Sequence, residues 1–122
     1  MDTQATGSTE AFGSGRFLLG HGTEGTCGHV DLTLRRLPEA AGSATVEWGA
    51  GIHGVPEWAR LQILSCVERY LVWYVSVNPV GGLHAVIVGA GWSDERRNEP
   101  ERAAVIALHD ALRNAGLPPL PL

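Results

Sequence analysis

The chain has 122 residues, which is enough for one domain with its own hydrophobic core, and a formal net charge of −4 that gives no support for nucleic-acid binding. Its basic residues are all arginine, and this lysine-free, alanine- and glycine-rich usage suggests a GC-rich genome. No secretory signal and no apolar run of roughly 18 residues is visible, so we expect a cytoplasmic protein with no membrane span.

The two ends of the chain have compositions that differ from the middle. Residues 1–15 are rich in Gly, Ser and Thr without apolar periodicity, which predicts a disordered N-terminal arm. Residues 117–122 read LPPLPL and predict a proline-rich extended tail, because proline fixes φ and removes a backbone donor. The folded domain is therefore predicted to span residues 16–116.

Two strands are predicted in the first half of the domain. Residues 28–37 alternate apolar and polar side chains, a pattern typical of a half-buried strand. Residues 38–43 read PEAAGS, which indicates a turn, and residues 44–52 form a second alternating segment. A turn between two such segments predicts a hairpin.

The second half predicts two helices around a central strand. Residues 54–72 form an apolar helical pattern with Pro56 in its first turn. Residues 74–92 are β-rich, with a possible short strand at 74–77 and a strongly apolar strand at 83–88. Residues 100–116 predict an Ala-rich helix that begins at Pro100 and stops at Gly116. Core positions are also expected for three tryptophans, Trp48, Trp58 and Trp73.

The order β-β-α-β-α predicts a two-layer α+β sandwich, in which two helices cover one face of a mixed sheet. The turn Gly89-Ala90-Gly91 after the apolar strand resembles part of a dinucleotide-binding fingerprint. However, Asp94 stands where that fingerprint needs a third glycine, and the next helix begins about nine residues too late. We therefore expect no nucleotide and no other cofactor.

Several segments in order carry a family resemblance. Gly28-His29-Val30 opens an alternating strand behind a Gly-rich loop, and Gly54, Pro56 and Trp58 open the first helix. With the Ala-rich closing helix, this order resembles domain IV of elongation factor G and of the ribosomal-protection proteins for tetracycline, over about residues 17–115. The resemblance implies the β-α-β sandwich of that domain, with its left-handed crossover.

In that family two loops at one end of the domain enter the ribosomal decoding centre. The loops that match by position are 20–29 and 89–100. The first loop lacks the Arg that is typical of the family, and Trp92 stands near the place of a family His. No GTPase signature of the type GxxxxGK[ST] occurs, so the resemblance implies domain IV standing alone.

The first loop also permits two chemical interpretations. His21, Cys27 and His29 have a spacing that matches no common zinc pattern, so we expect no metal. Cys27 with a loop histidine could act as nucleophile and base, although only Glu24 or Asp31 could orient the base. Cys27 and Cys66 are both expected as reduced thiols.

The main prediction is a non-catalytic, translation-factor-like domain that binds the ribosome or a structured RNA through its two tip loops. One alternative is a protein-interaction module, homo- or hetero-oligomeric, that keeps the fold without the ribosome. Another is a small enzyme that uses Cys27 and the loop histidines. The candidate binding residues are His21, Glu24, Cys27, His29, Trp92, Arg96, Arg97 and Asn98. The Arg96-Arg97 pair suits phosphate oxygens, although a solvated loop of mixed charge is the simpler interpretation. An exposed Trp92 could stack on a base, or it could fold back onto the sheet edge.

Overall fold

The computed structural model describes residues 10–18, 26–40, 42–78, 80–92 and 100–119. The described strands are β1 (Glu10–Leu18), β2 (Thr26–Leu37), β3 (Ala44–Trp48) and β4 (Gly82–Trp92). The described helices are α1 (Glu57–Val77) and α2 (Pro100–Asn114).

The four strands form one mixed sheet in the order β1-β2-β4-β3. β1 and β4 pair antiparallel with β2, and β3 pairs parallel with β4. The inward side chains of β2 and β4 are fully buried in one core with the apolar faces of both helices. The predicted two-layer α+β sandwich is therefore confirmed, and the apolar segment 83–88 lies in a central strand as expected.

The predicted hairpin of β2 and β3 is wrong, because β4 lies between these two strands. The connecting turn does close on itself, with the Ser43 N–H donating to the Ala40 carbonyl at 2.9 Å. Instead of pairing with β2, the chain then passes to β4, where the Leu83 N–H donates to the Ser43 carbonyl at 2.9 Å. A central place suits β4, since both its neighbours then help to bury the most apolar strand.

Residues 10–15 were predicted to belong to a disordered arm, but they form most of β1. Gly13 and Gly15 are buried there against helix α2. A Cβ on Gly13 would lie 2.2 Å from the Ala107 carbonyl oxygen, and one on Gly15 would lie 2.2 Å from that of Ala103. These glycines therefore allow a close helix-to-strand contact, and the folded domain includes residue 10.

Helix α1 continues through residues 74–77, where a short strand was considered. The Tyr74 side chain is fully buried, and its hydroxyl donates to the Pro118 carbonyl at 2.6 Å. Trp73 is 42% exposed, so its predicted core position is wrong, whereas Trp48 and Trp58 do pack against the core.

Helix α2 begins at Pro100 as predicted, and the chain turns at Gly116, whose φ is +74°. The Leu117 N–H donates to the Leu112 carbonyl at 3.0 Å, as in a glycine-based helix cap. Leu117 itself is buried, so the start of the proline-rich tail packs onto the domain.

Candidate functional site

Two connections leave the sheet at the same end, which we call the tip. Leu18, at the end of β1, pairs with Thr26 at the start of β2. Gly28 pairs with Trp92, the last residue of β4. The connection 19–25 and the connection 93–99 therefore begin from neighbouring positions. The predicted loops 20–29 and 89–100 were too long, because residues 26–29 belong to β2, residues 89–92 to β4 and Pro100 to α2.

Most of the predicted tip residues lie outside the described residues, namely His21, Glu24, Arg96, Arg97 and Asn98. Cys27 belongs to strand β2, but its side chain lies outside the described part. His29 and Trp92 are the two predicted site residues whose side chains are described.

Two alternatives were open for Trp92, an exposed ring that stacks on a base or a ring that folds back onto the sheet, and its exposure of only 7% favours the second. Its indole lies over Gly28, where an added Cβ would come within 1.7 Å of the ring atom Cε3. The missing side chain at Gly28 thus provides the space into which the ring folds. The Trp92 ring closes the core at the tip and is not presented to a base.

His29 lies on the open face of the sheet and leans across β4 toward Gly91. A Cβ on Gly91 would be 2.9 Å from the His29 Cε1 atom, and one on Gly89 would be 2.9 Å from a carboxylate oxygen of Asp31. The glycines of the apparent dinucleotide fingerprint therefore leave room for side chains of the neighbouring strand β2.

Asp31 is the centre of this small polar cluster. The Ser14 hydroxyl donates to Asp31 Oδ1 at 2.7 Å, while the His29 Nε2 atom lies 3.7 Å from Asp31 Oδ2. In a serine nucleophile site the imidazole, not the carboxylate, accepts the proton of the hydroxyl. This arrangement therefore orients the side chains of the open face without activating Ser14 as a nucleophile.

Metal ligands are not grouped into a site in the described part of the chain. Among those residues, no three His, Cys, Asp or Glu side chains lie closely enough together to hold a metal ion. His84 is the other partnered histidine of the open face: its Nδ1 atom lies 2.6 Å from the Thr45 hydroxyl and its Nε2 atom 3.3 Å from the Glu47 carboxylate. These contacts give His84 a structural role.

Sequence reasoning missed a second surface, on the outer side of α1. Val72 is 51% exposed and Val77 is 53% exposed, beside the partly exposed Trp73. Arg69, Tyr70 and Trp73 line a shallow pocket of about 270 Å³. The signal was present in the sequence, because α1 carries large apolar residues on more than the one face that a sheet can cover.

The chain is similar in fold to a protein from Thermus thermophilus whose crystal structure is known. The two share 22% identity over 88% of this chain, with a TM-score of 0.64. The match covers 16% of that protein, so this chain spans about a sixth of its length. No protein-family model and no curated protein matches the sequence. No helix in the described part of the chain is long and apolar enough to cross a membrane.

Proposed function

We propose that this chain is a non-catalytic binding domain of the elongation factor G domain IV type, which contacts the ribosome or a structured RNA through its two tip loops. The observation that carries the proposal is the common origin of the two connections, fixed by the Leu18–Thr26 and Gly28–Trp92 pairs. Loops held by a sheet scaffold often carry binding residues, so two connections that begin side by side are suited to contact one partner together.

The mixed-sheet sandwich supports the same proposal, since the resemblance to domain IV implies a β-α-β sandwich. The similar Thermus thermophilus protein has this fold as a small part of a much longer chain. Domain IV of elongation factor G is likewise one part of a longer protein, although the fold likeness by itself assigns no partner.

Charge decides which groups would contact RNA. Arg16 is exposed on β1 directly opposite His29 of β2, at the tip end of the open face. In the sequence, Arg96 and Arg97 follow within the β4–α2 connection. Guanidinium groups bind phosphate oxygens in a fork geometry, so these arginines are the expected phosphate contacts.

The test is co-sedimentation with bacterial ribosomes over a series of salt concentrations. We expect binding at low salt that weakens steeply as salt is added, because neutralised phosphates release counterions. The double variant Arg96→Ala, Arg97→Ala should bind more weakly and lower the log–log salt slope by about 1.5, since each lost phosphate contact contributes about 0.7–0.9.

A matched control is the double variant Arg35→Ala, Arg36→Ala, which removes the same charge from the far end of β2. It should leave ribosome binding close to that of the unaltered chain. No co-sedimentation at low salt, or equal losses from both double variants, would contradict binding through the tip.

A second candidate function is a protein-interaction domain that uses the outer side of α1. The observation that favours it is the group formed by Val72, Trp73 and Val77, because exposed apolar patches on single domains often mark contact surfaces. Trp73→Ser should then abolish binding to a co-purified protein partner, while the Arg96→Ala, Arg97→Ala variant keeps it. The reverse pattern would reject this candidate.

A further inference from the structure

The two edge strands of the sheet differ in how far other parts of the molecule cover their outward backbone groups. At the β1 edge, the Ser14 N–H donates to the Asp110 carboxylate of α2 at 3.2 Å. The Asn114 amide of the same helix donates to the Phe12 carbonyl at 2.8 Å. Side chains of α2 thus occupy backbone groups that another strand could otherwise pair with.

The β3 edge has no such cover among the described residues. The Ser43 carbonyl and the Gly49 N–H both bond to β4, at 2.9 and 2.8 Å, so the alternate residues between them also face β4. The N–H and C=O groups of Ala44, Val46 and Trp48 therefore point away from the sheet. Within the described ranges, no backbone hydrogen bond reaches those groups.

β3 is a short strand of five residues with one charged side chain, Glu47, but it lacks the proline and the bulge that prevent pairing at many edge strands. Its register with β4 is regular from Ala44 to Trp48, without a bulge. Its sequence, ATVEW, contains no proline and no positive charge. Natural edge strands commonly use those devices to prevent contact with other chains, so a regular, uncovered edge is able to pair with another strand.

We propose that a second copy of this chain pairs with the β3 edge, with the two β3 strands antiparallel about a two-fold axis at Val46. The sheet then continues through both copies. In this register Val46 faces Val46, and Ala44 faces Trp48 of the partner subunit. Each of these pairs joins residues whose backbone groups point outward, so each exchanges two hydrogen bonds.

The side chains favour this register and this partner. Glu47 carries the negative charge of β3 and faces Thr45 of the partner subunit, so no two carboxylates are opposed. The large Trp48 ring meets the small Ala44 side chain on the other face. A shift by one residue would turn the apolar side chains to the wrong face of the joint sheet.

The opposition of Thr45 and Glu47 provides the test. Thr45→Lys places a positive charge beside the partner's Glu47, whereas Thr45→Glu places a negative charge there, twice in each dimer. Both variants remove the same Thr45 contact to His84. Sedimentation equilibrium should show the dimer tightened roughly two- to thirty-fold by Thr45→Lys and weakened by a similar factor by Thr45→Glu, at low salt.

The matched control is the same pair of changes at Thr33, on the open face of the central strand β2. Thr33→Lys and Thr33→Glu should both change the dimer affinity little, and by the same amount. Val46→Pro is a second variant, which removes an outward N–H without breaking a β3–β4 bond and should yield monomers with retained circular dichroism. A chain that stays monomeric up to millimolar concentration, or a dimer indifferent to the sign of the charge at position 45, would overturn the proposal.

Discussion

Gly28 and Trp92 face each other at the tip, and the indole of Trp92 occupies the space that a side chain at position 28 would need. A Cβ on Gly28 would lie 1.7 Å from Cε3 and 2.2 Å from Cζ3 of the ring. The contact joins the start of β2 to the end of β4 and buries Trp92. The tip thus contains a packed, specific pair that lies close to the strand ends where both connections begin.

Gly28→Ala should therefore destabilise the domain by about 1–3 kcal/mol, because the ring must leave a well-packed position. The free energy of unfolding in urea measures this. The control is a double-mutant cycle with Trp92→Leu, which removes the indole ring. In the Trp92→Leu background, Gly28→Ala should lower the free energy of unfolding much less. Equal costs in both backgrounds would mean that the ring does not lie over Gly28.

Gly13→Ala and Gly15→Ala test the contact between β1 and α2. Either change places a methyl group 2.2 Å from a helix carbonyl oxygen, so α2 must move away from the strand. We expect a loss of about 1–3 kcal/mol in unfolding free energy for each. Ser14→Ala, between them, loses one partly exposed hydrogen bond and should cost about 1 kcal/mol. Losses at Gly13 and Gly15 that are smaller than the loss from Ser14→Ala would contradict the close packing.

Much of the fold could be predicted from the sequence, and the failures have physical causes. Helix α2 was found with both ends because Pro100 and Gly116 act locally. The segment around Gly13 and Gly15 was misassigned because the small residues that permit close packing are also those typical of linkers. The hairpin was wrong because alternation identifies a strand but not its neighbour, and β4 arrives from 45 residues later in the chain than Leu37.

The candidate site could be predicted less well than the fold. The resemblance predicted which end of the sheet carries the candidate site, but the side chains of the loops lie outside the described residues. The burial of Trp92 depends on the absence of a side chain at Gly28, sixty-four positions earlier, which no local pattern encodes. The β2–β4 register also determines that the His29 side chain lies over Gly91 and the Asp31 side chain over Gly89, which no local pattern encodes.

The Asp110 carboxylate should stabilise the β1 edge by accepting a backbone hydrogen bond. It accepts the Ser14 N–H and also forms an ion pair with Arg113 on its own helix. Asp110→Ala should lower stability by about 1 kcal/mol and speed hydrogen exchange at the Ser14 amide. Arg113→Ala is the matched control, since it breaks the ion pair but leaves the acceptor for Ser14. Faster exchange at Ser14 in both variants would show that the ion pair, not the strand contact, matters.

Cys66 should make stability fall at alkaline pH. Burial raises the pKa of its thiol from the usual 9.0 to about 11, with the Glu101 carboxylate as a second cause and Arg69 opposing. The folded state holds this proton to higher pH than the unfolded state does. The contribution of the protonated Cys66 thiol to the free energy of unfolding is therefore complete below pH 9 and is lost as the pH rises toward 11. Unfolding free energies of Cys66→Ala, in a Cys27→Ser background, should decline less over that range.

Two further observations separate this effect from other alkaline titrations. Burial also raises the pKa of Tyr74, but that group is common to both proteins and cancels in the comparison. At about pH 8, below the ordinary thiol pKa, the native Cys66 thiol, which is 1% exposed, should react with a thiol reagent far more slowly than in the urea-unfolded chain. Parallel alkaline declines with and without the Cys66→Ala change would mean that the thiol is ionised as easily inside the fold as outside it.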